Sequence, residues 1–309
     1  MTKIEDLKLR GKYGGFLFLA DAARGIPWLK THQHAELEIN VVARGSVTYV
    51  VGKSSYTFYQ GECLWLFPGQ PHRCIDRTAD ALYYVVSFKP ALIARSCRQD
   101  DNAILKKSRP AKNAVLHTLL PPAKFNLIRG IMDSLIQVGL DSDTLNREVG
   151  FGLSLGFRYE HAKPDMLNSG LALILQLAWD CQKASATEQR ATLLHPAVLK
   201  ALDILKKESE SECLKKMARE CGVSAAYLSR TFKQQIGVPI NRYRNTMRLE
   251  RFWEIRNRAA HHMTLSEMVY EAGFGSYAQF SKLYRATVGR CPREINRTLT
   301  SPNPARCQS

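Results

Sequence analysis

The 309-residue chain carries 44 Lys and Arg against 28 Asp and Glu, a formal net charge of +16, and is 45% hydrophobic. That apolar content argues against a disordered chain and supplies cores for two or three domains. The charge favours anionic partners, nucleic acid among them, although a merely basic protein would look the same. At the N-terminus, MTKIEDLKLR holds no apolar stretch for an export signal. The longest apolar run, LALILQLAW (171–179), is too short to cross a bilayer. A cytoplasmic location with no membrane partner is therefore expected. The eight cysteines form no CxxC pair and read as reduced, mostly buried thiols.

Residues 28–88 contain short β-rich runs, LEINVVA, SVTYVV, SYTFYQ, CLWLF and ALYYVVSF, separated by RGS, VGKS, QGE and PGQ. Spacings near ten with turn residues between them predict an antiparallel sandwich or barrel. Within it, HQHAELE (32–38) gives His32, His34 and Glu38 the same parity, hence one side of a single strand. Glu36 and Asn40 share that parity. Gly45 follows six residues after Glu38, and GECLWLFPGQPH ends at His72. This arrangement resembles the cupin pattern H-x-H-x3-E-x6-G, followed by a Gly, a PG turn and a His. In metal-binding cupins the four side chains hold a divalent first-row metal, which the resemblance carries onto His32, His34, Glu38 and His72. Nitrogen and oxygen ligands of this kind suit Fe, Mn, Ni, Cu or Zn. Two other readings stay open. His32, His34, Glu36, Glu38 and His72 would equally line a metal-free pocket for a small polar effector, or be a vestigial site. Trp65 is a candidate for stacking on a sugar face or for plain core.

Residues 92–110, with scattered Arg, Lys and Asp, read as a solvated connection. From about Pro121 to Ala186 the apolar spacing becomes helical, in FNLIRGIMDSLIQVG, LNREVGFGLSLGFRYEHA and MLNSGLALILQLAWDC. Leu171, Leu175 and Leu177 to Trp179 suit either a core or an interface. The polar stretch QKASATEQRATLLH (182–195) is the expected interdomain linker.

From His195 onward there are 20 Lys and Arg against 10 Asp and Glu, a net of 20 − 10 = +10. This basic third writes one pattern twice. YLSRTFKQQIGVP (227–239) is matched 52 positions later by QFSKLYRATVGRC, and LKKMARECGVSAAYL (214–228) by LSEMVYEAGFGSYAQF (265–280). Each copy predicts a helix stopped by Gly222 or Gly273, then a second helix capped by Ser224 or Ser276. Leu228, Phe232 and Ile236 form one four-spaced core stripe, and Phe280, Tyr284 and Val288 the other. The opposite faces carry Ala225, Ala226, Ser229, Arg230 and Lys233, then Tyr277, Ala278, Ser281, Lys282 and Arg285. Small, hydroxyl and cationic side chains suit a helix in the DNA major groove. Between the copies, PINRYRNTMRLERFWEIRNR (239–258) predicts a helix of roughly 30 Å. That is close to the roughly 34 Å of one duplex turn. One strut would then hold two reading heads about a turn apart.

Residues 196–297 resemble the DNA-binding domain of the AraC/XylS family of bacterial transcription regulators. LSRTFK, the G-x-P-x-x-x-Y-x-x-x-x-R-L linker and GFGSYAQFSKLYRATVGRCP carry the resemblance. Tyr284, Cys291 and Ile295 depart from its usual Phe, small polar residue and Tyr. The resemblance implies base contacts by Arg230 and its neighbours Ala226, Tyr227, Ser229 and Lys233, and a second set from Tyr277, Gln279, Ser281, Lys282 and Arg285. It also implies a multidomain fold: an antiparallel cupin-like β-barrel over 1–110, a helical linker and dimerisation segment over 111–190, and an all-α double helix-turn-helix domain over 195–297; the tail over 298–309 is expected to be disordered. The function implied is a non-enzymatic, sequence-specific regulator, by default an activator, sensing a small sugar-like molecule. Its partners would be double-stranded DNA, the effector, RNA polymerase and a second copy of the chain. A cupin metalloenzyme with a DNA-binding tail is the competing reading, and the metal motif is its sole support.

Overall fold

The computed structural model describes residues 3–4, 9, 11–23, 31–107, 115–140, 159–184, 192–207, 213–259, 263–288 and 291–292. Trp28, the 298–309 tail, His261, His262, Ile295 and most of LNREVGFGLSLGFRYEHA lie outside them.

Two sheets face each other in the N-terminal half. One has the order β1-β3-β8-β5-β6-β11 and the other β10-β7-β4-β9-β2. Their strands are β1 (Lys3–Ile4), β2 (Gly15–Asp21), β3 (His32–Gln33), β4 (Leu37–Arg44), β5 (Ser46–Val51), β6 (Ser54–Tyr59), β7 (Glu62–Leu66), β8 (His72–Arg77), β9 (Leu82–Phe88), β10 (Leu116–Leu119) and β11 (Thr192–Leu193). The five apolar runs became β4, β5, β6, β7 and β9. Among the described residues every pairing is antiparallel except β1 with β3.

The region expected to be a solvated connection is folded instead. Helix α1 (Pro90–Ser96) and a 3₁₀ turn (Asp100–Lys106) occupy it. They bury Leu92, Ile93, Cys97 and Leu105, four apolar residues outweighed in sequence by the surrounding charges. Helices α2 (Pro122–Gly139) and α3 (Pro164–Ala184) pack on the barrel. Leu171, Leu175, Ala178 and Trp179 on α3 are buried in this shared core, which resolves the core-or-interface alternative for them. Trp65 belongs to it as well: its indole N–H donates to Thr118 at 3.0 Å and its ring meets Trp179 edge-on. It is core, not a stacking platform.

The C-terminal half comprises α4 (Pro196–Lys207), α5 (Leu214–Glu220), α6 (Ala225–Ile236), α7 (Ile240–Ala259), α8 (Leu265–Glu271) and α9 (Tyr277–Val288). Gly222 and Gly273 take φ of +72° and +88°, the left-handed turns expected after the first helix of each unit. Ser224 accepts from the Tyr227 amide and Ser276 from the Gln279 amide, both at 3.2 Å. A capping box of Thr264 and Glu267 starts α8, a signal unread in the sequence. Ser224→Ala removes one such cap and is expected to lower the melting stability of this half by about 1 kcal/mol, read by thermal unfolding.

Two separate cores fill the half. Leu228, Phe232, Ile236, Ile240 and Tyr243 belong to one, and Leu249, Phe252, Ile255, Phe280 and Tyr284 to the other. Helix α7 therefore divides its apolar residues between the two units, as a strut must. The first core also contains Val50 and Ile75 from the barrel. Residues 192–193 pair with β6, so the chain entering the helical half is stitched to the sheet that holds β6.

Candidate functional site

The barrel interior brings the four motif residues together by a route different from the one expected. His32 and Glu38 do not share a strand. His32 lies on β3 in one sheet, directly opposite His72 on β8, while Glu38 lies on β4 in the other sheet. The bend at 34–36 lets the chain cross between sheets while keeping the inward parity of all three side chains. Pro68 and Gly69, the latter at φ +70°, form a turn whose Gly69 amide donates to the His34 carbonyl at 2.9 Å. That bond holds the β7–β8 connection against the histidine segment.

The imidazole centroids of His32 and His72 are 4.3 Å apart, and those of His34 and His72 5.1 Å. Ligand nitrogens of His32, His34 and His72 all lie within 4.8 Å of one another. Glu38 is buried; its Oε2 is 3.1 Å from His34 Nε2 and its Oε1 accepts from Asn40 at 2.7 Å. The Tyr49 hydroxyl donates to Asn40 at 3.2 Å, adding a residue that sequence reading missed. Burial pushes the Glu38 carboxyl up, but His34, His72 and Asn40 outweigh it and bring it down to about 2. Burial, then the neighbouring His32, push His72 down to about 3, so its ring is neutral. Glu36 sits outside the cluster. It precedes β4, offers its backbone carbonyl to His34 Nδ1 at 3.0 Å and holds its carboxylate 3.7 Å away.

On the helical half, Ala226, Tyr227, Arg230 and Lys233 are exposed along one face of α6, with Ser229 half-buried beside them. The Tyr227 ring leans against His195, its hydroxyl 3.4 Å from Nε2. The second face is less open. Gln279, Lys282 and Arg285 are exposed, but Tyr277 packs against Phe280 and Ser281 is buried. Arg285 folds back to donate to Ser281 at 3.1 Å, and the Gln279 amide oxygen accepts from the Gly275 amide. Several side chains offered by the second helix are thus already engaged within the second unit.

One residue went unnoticed in the sequence. Arg73, next to His72 on β8, is 2% exposed and its guanidinium lies 5.4 Å from the ring centre of Tyr243 on α7. A period-2 reading of β8 would have placed it on the outer face, opposite His72. What that face meets is a tertiary matter. Among the described residues no helix is long and apolar enough to cross a membrane.

Comparison with known proteins bears on both halves. Residues 24–136 match the model of the AraC-like ligand binding domain, and residues 217–298 that of a helix-turn-helix domain. The transcriptional activator RhaS of Salmonella arizonae is 32% identical over 87 residues, 28% of this chain and 31% of that protein. The match thus spans about a third of such curated relatives. Among solved structures, ToxT from Vibrio cholerae is 10% identical over 93% of this chain and 100% of that one, with a TM-score of 0.34. A regulator with an AraC-type DNA-binding domain from Chromobacterium violaceum is 26% identical over 35% of this chain and 96% of that one, with a TM-score of 0.30.

Proposed function

Since the chain belongs to the AraC family of transcription regulators, a family of non-enzymatic proteins, we propose that it reads a specific DNA sequence with α6 and α9 and adjusts that reading to a small polar ligand in its barrel. The observation carrying this is the division of one helix, α7, between two helix-turn-helix cores. It supports a monomer that engages two successive major-groove segments on one face of the duplex. Arg230 and Lys233 on α6, then Lys282 and Arg285 on α9, supply the charge for phosphates and base edges. Tyr277 and Ser281 contribute less, the one packed against Phe280 and the other buried, and Gln279 and Arg285 must release the Gly275 amide and Ser281 to reach the duplex.

Activation through contact with RNA polymerase and a homodimer built on the helical middle segment complete the reading. Leu127 on α2 and Leu173 on α3, 49% and 46% exposed, are apolar positions such a dimer would cover. Ligand binding acts by favouring one arrangement of the two halves over another. The alternative of a cupin enzyme loses its ground with the family membership.

The test is selection of bound fragments from genomic DNA by the purified chain, followed by affinity measurement at physiological salt. A recovered motif that binds about a thousand-fold or more tighter than a scrambled duplex is expected. Recovery of no motif would show that the helices read no bases.

A further inference from the structure

We propose that His195, in the chain entering the helical half, is a positioning residue for Tyr227, holding the Tyr227 hydroxyl so that it donates a hydrogen bond to the duplex. This rests on the regulator reading above and adds to it a residue outside both recognition helices.

The hydrogen-bond directions at His195 carry the argument. Its backbone carbonyl accepts from the Val198 and Leu199 amides at 2.8 and 3.0 Å, so His195 stands at the start of α4. Its Nδ1 lies 3.1 Å from the Ala197 amide. A backbone N–H only donates, so Nδ1 accepts, carries no proton, and leaves the ring proton on Nε2. Nε2 faces the Tyr227 hydroxyl at 3.4 Å, and the two rings meet edge to face with centroids 5.6 Å apart. Nε2–H therefore donates to the hydroxyl oxygen. The hydroxyl keeps its own hydrogen for another acceptor.

The imidazole is held from both sides. Ahead of it, residues 192–193 pair with β6, and the Leu194 amide donates to the Lys53 carbonyl at 3.1 Å. Leu194 itself is buried in the first helix-turn-helix core. On the other side, the His195 amide donates to the Gln235 side-chain oxygen at 2.8 Å, and the Gln235 side-chain nitrogen donates to the Leu193 carbonyl at 3.4 Å. Tyr227, Thr231 and Gln235 recur at four-residue spacing on α6, in a row beside the buried stripe of Leu228, Phe232 and Ile236. Residues 193–195 thus touch the first and last turns of the recognition helix along one flank, and leave Ala226, Arg230 and Lys233 exposed.

Tyr227 stands at the border between that flank and the groove face, 41% exposed. Ordering a loose side chain on binding costs affinity, and one already held costs less. The donor it presents suits the acceptors of a duplex: guanine N7 and O6, adenine N7, thymine O4 and phosphate oxygens. In the second unit the matching position is Gln279, tied instead to the Gly275 amide just ahead of its own helix. A side chain held by the incoming chain is thus particular to the first unit.

His195→Asn separates positioning from helix capping, because Asn also caps a helix but is too short to reach the Tyr227 hydroxyl. The full-length wild type, His195→Asn, Tyr227→Phe and the double variant are compared on the selected DNA fragment and on a scrambled duplex. Each single variant should weaken binding to the selected fragment by about 2- to 12-fold, the worth of one hydrogen bond, and melt like the wild type. The double variant should bind no worse than Tyr227→Phe, since His195 acts only through that hydroxyl. Loss on the selected fragment alone places the acceptor on a base edge, and equal loss on both duplexes places it on phosphate. Wild-type affinity in either single variant, or additive losses in the double variant, overturns the proposal. If selection returns no motif, the regulator reading fails, and imidazole nitrogen NMR shifts of the free chain decide His195 separately. The proton is expected on Nε2, and a proton on Nδ1 overturns the proposal.

Discussion

Phe252→Ala is expected to unfold the second helix-turn-helix unit while leaving the first intact. Phe252 is fully buried on α7, with its ring 4.5 Å from Phe280 and 6.4 Å from Tyr284. Replacing a buried Phe by Ala costs about 3–5 kcal/mol, through lost transfer energy and the cavity left behind. Among the described residues only nine are buried in this core, so few neighbours can collapse into the gap. The loss approaches the roughly 5–15 kcal/mol total stability of an ordinary domain. The first core takes its α7 residues from Ile240 and Tyr243 and does not include Phe252. Hydrogen exchange should therefore show protection lost in α8 and α9 and kept in α5 and α6. Uniform loss across both units would mean that the two cores unfold as one.

Arg230→Ala is the largest effect expected on DNA reading. The side chain is exposed on α6, on the face opposite the buried stripe of Leu228, Phe232 and Ile236. Removal should barely touch stability, yet cost about 1–3 kcal/mol of specific binding and relax preference at one base pair. Repeating the fragment selection with the variant gives the preference, and a salt titration gives the slope. An unchanged motif with a salt slope reduced by about one would assign Arg230 to a phosphate instead.

Much of the helical half was legible from local chemistry. Gly222 and Gly273, the caps Ser224 and Ser276, and the four-spaced stripes are short-range signals, and each lies where its backbone geometry required. Five strands, β4, β5, β6, β7 and β9, were legible for the same reason, since alternation and turn residues act over a few positions. Other elements were missed: β1, β3, β10, β11, α1 and the 3₁₀ turn hold too few residues for a period to stand out, and β2 and β8 were not picked out although they are as long as strands that were. In the site, spacing brought out His32, His34, Glu38 and His72, but it placed the first three on one strand. The bend at 34–36 is visible only once β3 and β4 pair with different partners. Availability was also invisible: Ser281 has the same parity and chemistry as Ser229, but it is buried and accepts from Arg285.

What the sequence by itself determined is the set of elements and the chemical character of each face, because periodicity, caps and turn residues act within one or two turns of chain. Tertiary structure alone decided which faces meet. Trp65 went to the shared core with Trp179, α7 was divided between two cores, and Arg73 was closed against Tyr243. Such contacts join residues up to 170 positions apart, as between Arg73 and Tyr243. Burial there depends on the packing of whole layers, which no local pattern of residues encodes.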